Sequence, residues 1–112
     1  MISTSVVVFA VGAVLGLFML VRWFMKKDAP RGIVYLHGLA GAAGIVLLLL
    51  FVNQHPDRFP LVSIILFVVA ALGGFYLFFS DIRKKPHPLG IALLHGLLAV
   101  SGFLALLLFI LA

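Results

Sequence analysis

Two histidines are the residues of this chain best equipped for chemistry within a membrane. His37 and His95 each stand in the tripeptide Leu-His-Gly, inside a long apolar run. A neutral imidazole donates through one ring nitrogen and presents a lone pair at the other, so it can bond a carbonyl, carry a proton or ligate a metal. A polar ring in hydrocarbon is costly, and it is expected to face a bundle interior and find a partner there. The two histidines lie 58 residues apart, and that offset is a property of the whole chain.

Shifted by 58 residues without a gap, the sequence matches itself from end to end. Gly32, Ile33, Leu36, His37, Gly38, Leu39, Gly44 and Leu48 recur as Gly90, Ile91, Leu94, His95, Gly96, Leu97, Gly102 and Leu106. The preceding segment repeats more loosely, with Ser5, Phe9, Gly16, Lys26 and Lys27 recurring as Ser63, Phe67, Gly74, Lys84 and Lys85. The chain is therefore read as one transmembrane domain over residues 1–112, with repeats at 1–54 and 59–112.

The elements that position these residues follow from composition. The chain is 65% hydrophobic and 10% charged, which places it in a bilayer. A hydrocarbon core of roughly 30 Å takes about 20 apolar residues per helix. Four stretches are long enough, at about residues 3–25, 32–53, 60–80 and 88–111. Short connections favour an up-down-up-down bundle. The expected fold is all-α: four transmembrane helices built from two tandem, parallel two-helix repeats related by an axis along the membrane normal. The second and fourth helices then lie on a diagonal, with His37 and His95 at one depth.

Charge orients the bundle. Arg22, Lys26, Lys27 and Arg31 flank the first connection, Arg83, Lys84 and Lys85 the third, and only Arg58 lies in the second. Seven of the eight basic residues thus share one side, which the positive-inside rule assigns to the cytoplasm. Both termini are expected on the non-cytoplasmic face of a bacterial inner membrane. The basic rim is expected to meet anionic lipid headgroups. No extramembrane surface remains for a nucleic acid.

On the helix faces carrying the histidines, His37, Gly41, Gly44 and Leu48 form one stripe, and His95, Ala99, Gly102 and Leu106 form its copy. The first helix adds Gly12 and Gly16, the third Ala70 and Gly74. Small residues at this spacing allow close helix packing. They also leave a recess beside each imidazole for a flat cofactor. Two inward imidazoles across a bundle are the axial donors of six-coordinate haem b. His37 and His95 are thus candidate axial ligands, with Gly41, Gly44, Ala99 and Gly102 as the recess. Lys26, Lys27, Arg31, Lys84 and Lys85 form a rim for the propionates, and Arg83 is a further candidate.

The histidines have other readings. Each can donate to a carbonyl on a neighbouring helix, a contact that duplication copies without any cofactor. A chlorin pigment needs one axial histidine per repeat, and a protonation switch needs none of this apparatus. A metal other than haem iron is disfavoured, because two imidazoles without carboxylate or thiolate leave a zinc site incomplete. His55 and His87 flank prolines in the connections, stand outside the repeat and are expected to be solvated.

Catalysis by the chain itself is not expected. Its serines lack base and acid partners in the sequence, and no phosphate-binding loop or metal-ligand spacing appears. Two functions of different class remain: a small haem b-binding electron-transfer protein or cytochrome subunit, and an accessory or assembly subunit with structural histidines. In either case a larger membrane complex or a second copy of the chain is the expected partner. Length and helix count resemble those of the small multidrug-resistance transporters. That family rests on a glutamate in its first helix, whereas this chain carries only Asp28, Asp57 and Asp81, none at membrane depth. The resemblance is one of size.

Overall fold

A computed structural model describes residues 1–112 as four helices: α1 (Ile2–Phe24), α2 (Arg31–Gln54), α3 (Leu61–Ile82) and α4 (Leu89–Leu111). Each is long and apolar enough to cross a membrane. A helix of 23 residues rises about 35 Å at 1.5 Å per residue, enough to span the hydrocarbon with a turn to spare. The bundle measures 45 × 23 × 19 Å, its long axis that of the helices.

Prolines set three of the starts. Pro30, Pro60 and Pro88 stand immediately before α2, α3 and α4. A proline there loses nothing, since the first N–H groups of a helix have no intrahelical acceptor. The ends of α1 and α3 are built alike. Lys26 and Lys27 donate to the carbonyls of Trp23 and Arg22, and Lys84 and Lys85 to those of Asp81 and Ser80. These are the paired bonds of a Schellman cap. Its left-handed position, where glycine is usual, is filled by Lys26 (φ 58°) and Lys84 (φ 55°).

The chain folds as two hairpins, α1–α2 and α3–α4, each closely packed within itself. They meet along the α1–α4 and α2–α3 seams, where the approach is sparser, and the diagonal pairs α1–α3 and α2–α4 have no backbone approach. This is the up-down-up-down square with α2 and α4 on a diagonal.

The core is arranged about the pseudo-two-fold axis, where a residue meets its own copy. Phe9 stacks on Phe67 with ring centroids 3.9 Å apart, and Leu48 and Leu106 close the same cluster. Phe51 meets Phe109 edge-on at 6.3 Å. His37 meets His95 at 6.0 Å. Toward the basic end lies a second cluster of Trp23, Leu77 and Ala92, which does not obey the two-fold. Most other large apolar side chains point outward, as a bundle solvated by lipid requires.

Candidate functional site

The two histidines are seated in the same way in each hairpin. His37 Nδ1–H donates to the carbonyl of Gly12 at 2.8 Å, and His95 Nδ1–H to that of Ala70 at 2.7 Å. A carbonyl can only accept, so Nδ1 carries the proton in both rings. In the neutral ring Nε2 is then left as a lone pair. Neither Nε2 has a hydrogen-bond partner in the chain. The same tautomer, fixed by a carbonyl behind the ring, is the one that metal-ligating histidines use.

Small residues make room for the rings. A Cβ added at Gly16 would lie 2.8 Å from His37 Cε1, and one at Gly74 would lie 3.1 Å from His95 Cε1. Gly16 and Gly74 are thus the floor on which the imidazoles rest. The rings approach each other across the α2–α4 diagonal at 79°, edge to face. Each hairpin supplies one imidazole, its carbonyl anchor and its glycine floor.

The predicted recess has a different occupant. Gly44 faces the ring of Phe9, where a Cβ would meet carbons at 2.6 Å, and Gly102 faces Phe67 at 3.2 Å. The chain's own phenylalanines therefore fill these two positions. A Cβ on Gly41 would meet nothing within 4 Å. Ala99, its counterpart, is half-buried. The small residues that touch the imidazoles belong instead to α1 and α3.

The basic rim is divided among several contacts. Arg31 pairs with Asp81 at 3.0 Å. Lys26, Lys84 and Lys85 gather on one cleft beside Trp23 and His87, and Lys27 stands apart from it. Along the helices, Arg31 lies about 9 Å from the level of His37, whereas Lys26 and Lys84 lie about 15 Å from the glycine floors at Gly16 and Gly74. Arg31 is the rim residue within two turns of an imidazole. Arg83 caps α3 and is exposed.

His87 differs from its expectation as a solvated loop residue. Its ring stacks on Trp23 with centroids 4.2 Å apart and planes within 3°, and its Nε2 bonds Asp28 Oδ1 at 3.0 Å. The end of α1 meeting the α3–α4 connection creates this stack, and neither segment alone signals it. His55 is exposed, with its ring stacked on Phe51. Donor atoms of Asp28, Asp81 and His87 lie within 4.8 Å of one another. Within this group His87 bonds Asp28 and Arg31 bonds Asp81.

Searches against protein-family models, curated proteins and solved structures find no match for this chain.

Proposed function

We propose that the chain is a membrane electron-transfer subunit that holds one haem b between His37 and His95. The observation that carries this reading is the convergence of two Nδ1-anchored imidazoles at 6.0 Å across the bundle diagonal. His37 and His95 would hold the iron through Nε2, the ring nitrogen that the carbonyl bonds leave free. The donor set is that of an axial pair: two equivalent rings, each fixed from behind through Nδ1, each with Nε2 unbonded within the chain.

Space for the macrocycle is not preformed at Gly44 and Gly102, since Phe9 and Phe67 occupy it. The seams between the hairpins are packed more sparsely than the hairpins themselves, and a flat group would lie there. The bound iron would supply a one-electron couple. The chain's part is to anchor the imidazoles through Gly12 and Ala70 and to keep them in an apolar core. One such group near the basic face exchanges electrons with a partner or a quinone on that side, which the positive-inside rule makes cytoplasmic.

A second reading, an accessory subunit with structural histidines, is favoured by one observation. The phenylalanine rings already fill the glycine recess, so the bundle packs without a cofactor. A visible spectrum of protein from haem-replete cells, before and after dithionite, separates the two. The haem reading expects a Soret band and a sharp reduced α-band, lost in His37→Ala and His95→Ala and kept in His55→Ala. A colourless wild-type protein leaves the accessory reading standing.

A further inference from the structure

At the basic end, Trp23, Lys26, Lys84, Lys85, His87 and Leu89 line a cleft of about 450 Å³ between the end of α1 and the α3–α4 connection. It is an open cleft, lined mostly by exposed residues over a buried Trp23. Three lysines line the cleft, and none of them forms an ion pair within the chain. The two nearest acids are engaged elsewhere, Asp28 with His87 and Asp81 with Arg31. With Asp81 paired to Arg31, the three lysines outnumber the one remaining carboxylate, Asp28, and leave the cleft an excess of positive charge that attracts an anion.

The backbone points the same way. Lys26 and Lys84 occupy left-handed positions in two equivalent caps, at φ 58° and 55°. For a residue with a Cβ this conformation costs about 1–2 kcal/mol, and glycine adopts it freely. The chain places lysine at both positions and brings both to the same cleft. The strain is explained if the side chains are needed there. The wall is apolar: Trp23 is 7% exposed, its indole N–H has no partner, and Leu89 packs against the same cluster. Val21, Phe24 and Met25, near the end of α1, are exposed to the surrounding lipid.

We propose that this cleft binds the phosphate of an acidic phospholipid, with the headgroup on Lys26, Lys84 and Lys85 and the acyl chains along the apolar helix faces. The chemistry recognised is a phosphate oxyanion, and the apolar wall at a helix end selects a lipid over the free ion. The cleft lies about 10 Å along α1 from the imidazole level, counted from Gly16 to Trp23, and the proposal does not rest on haem.

Trp23 is the sole tryptophan and so reports on its own cleft. The full chain is reconstituted in phosphatidylcholine vesicles with rising fractions of phosphatidylglycerol brominated near the headgroup, and quenching of Trp23 is read. Brominated phosphatidylcholine serves as the comparison. Quenching should saturate at low mole fraction for the anionic lipid and follow bulk proportion for the zwitterionic one. Lys84→Gln/Lys85→Gln should weaken the anionic preference at least about fivefold, since it removes two charge-assisted bonds to the phosphate. Lys27→Gln/Arg83→Gln removes the same charge outside the cleft and should change it less than twofold. Equal losses in both variants, with helicity intact by circular dichroism, would mean diffuse surface attraction and overturn the site. An equal response to both lipids overturns it too. Displacement of the lipid by inorganic phosphate at equal concentration, with detergent-solubilised protein, would assign the cleft to the free ion and overturn the lipid proposal.

Discussion

Asp81 and Trp23 occupy the same place in the two repeats, as do Leu89 and Arg31, yet the contacts they make are unlike. At the end of α3, Asp81 forms an ion pair with Arg31 at the start of α2. At the end of α1, Trp23 sits in an apolar cluster with Leu77 and Ala92, and Leu89 packs against it. Deeper in the bundle the halves agree: His37 with Gly12 matches His95 with Ala70, and Phe9 on Gly44 matches Phe67 on Gly102. Distance from the two-fold axis accounts for the difference. A residue on the axis meets its own copy, so it must be compatible with itself. Two phenyl rings, two leucines or two neutral imidazoles satisfy that condition, whereas two aspartates or two arginines do not. Away from the axis each residue meets a different one, and the halves are free to diverge.

This contrast predicts equal effects on the axis and unequal ones off it. The largest belong to the histidines. His37→Ala and His95→Ala each remove a packed ring and its carbonyl bond, and should cost about 2–4 kcal/mol of unfolding free energy. The two values should agree to about 0.5 kcal/mol, and the double variant should depart from their sum because the rings touch. Reversible unfolding in mixed micelles measures all three. A large gap between the single variants would break the symmetry argument at its centre.

Gly44→Ala and Gly102→Ala sharpen it. The added Cβ would meet Phe9 at 2.6 Å in the first repeat and Phe67 at 3.2 Å in the second. Overpacking of this kind costs about 1–3 kcal/mol, and the first variant should lie at the upper end and the second below it. The buried serines share this imperfection in the symmetry. Ser63 donates to the Gly102 carbonyl across its hairpin at 2.8 Å, while Ser5 donates to Ile2 within its own helix at 2.6 Å. Ser63→Ala should therefore cost more than Ser5→Ala, by about 1 kcal/mol for the lost interhelical bond.

How much of this was legible in the sequence depends on which residues must touch. Helix number and limits follow from apolar length, a local property, and the four helices start and stop within two residues of where composition puts them. The shared level of His37 and His95 follows from the gapless repeat, because one inserted residue would have rotated one hairpin against the other. The contents of the glycine recess did not follow. Gly44 lies on the stripe of His37, but Phe9 comes from α1 and reaches it only through interhelical packing. The Trp23–His87 stack and the lysine cleft are also products of the end of α1 meeting the α3–α4 connection, at positions where the repeat has already decayed: Ala29 stands opposite His87, and Asp28 opposite Pro86.

The ion pair at the rim is a smaller test. Arg31 is 46% exposed and Asp81 11%, so the pair lies close to water at one end. Such pairs contribute about 0.2–1 kcal/mol, and a double-mutant cycle over Arg31→Gln and Asp81→Asn should fall in that range. The corresponding cycle over Trp23 and Leu89 should not weaken in high salt, whereas the ionic one should.

The smallest effect has the opposite sign. Lys26→Gly and Lys84→Gly should each stabilise the fold by about 0.5 kcal/mol, since relief of left-handed strain outweighs the greater freedom that glycine brings to the unfolded chain. The gains should be equal, because both lysines hold the same position in equivalent caps at φ 58° and 55°. The same variants should lose preference for acidic lipid, since each removes an ammonium from the cleft beside Trp23. Stability and lipid preference would then move in opposite directions at one residue, which a purely structural lysine does not allow. If Lys26→Gly instead destabilises the bundle and leaves lipid preference intact, the side chain is supporting the cap, and the strain has a structural cause.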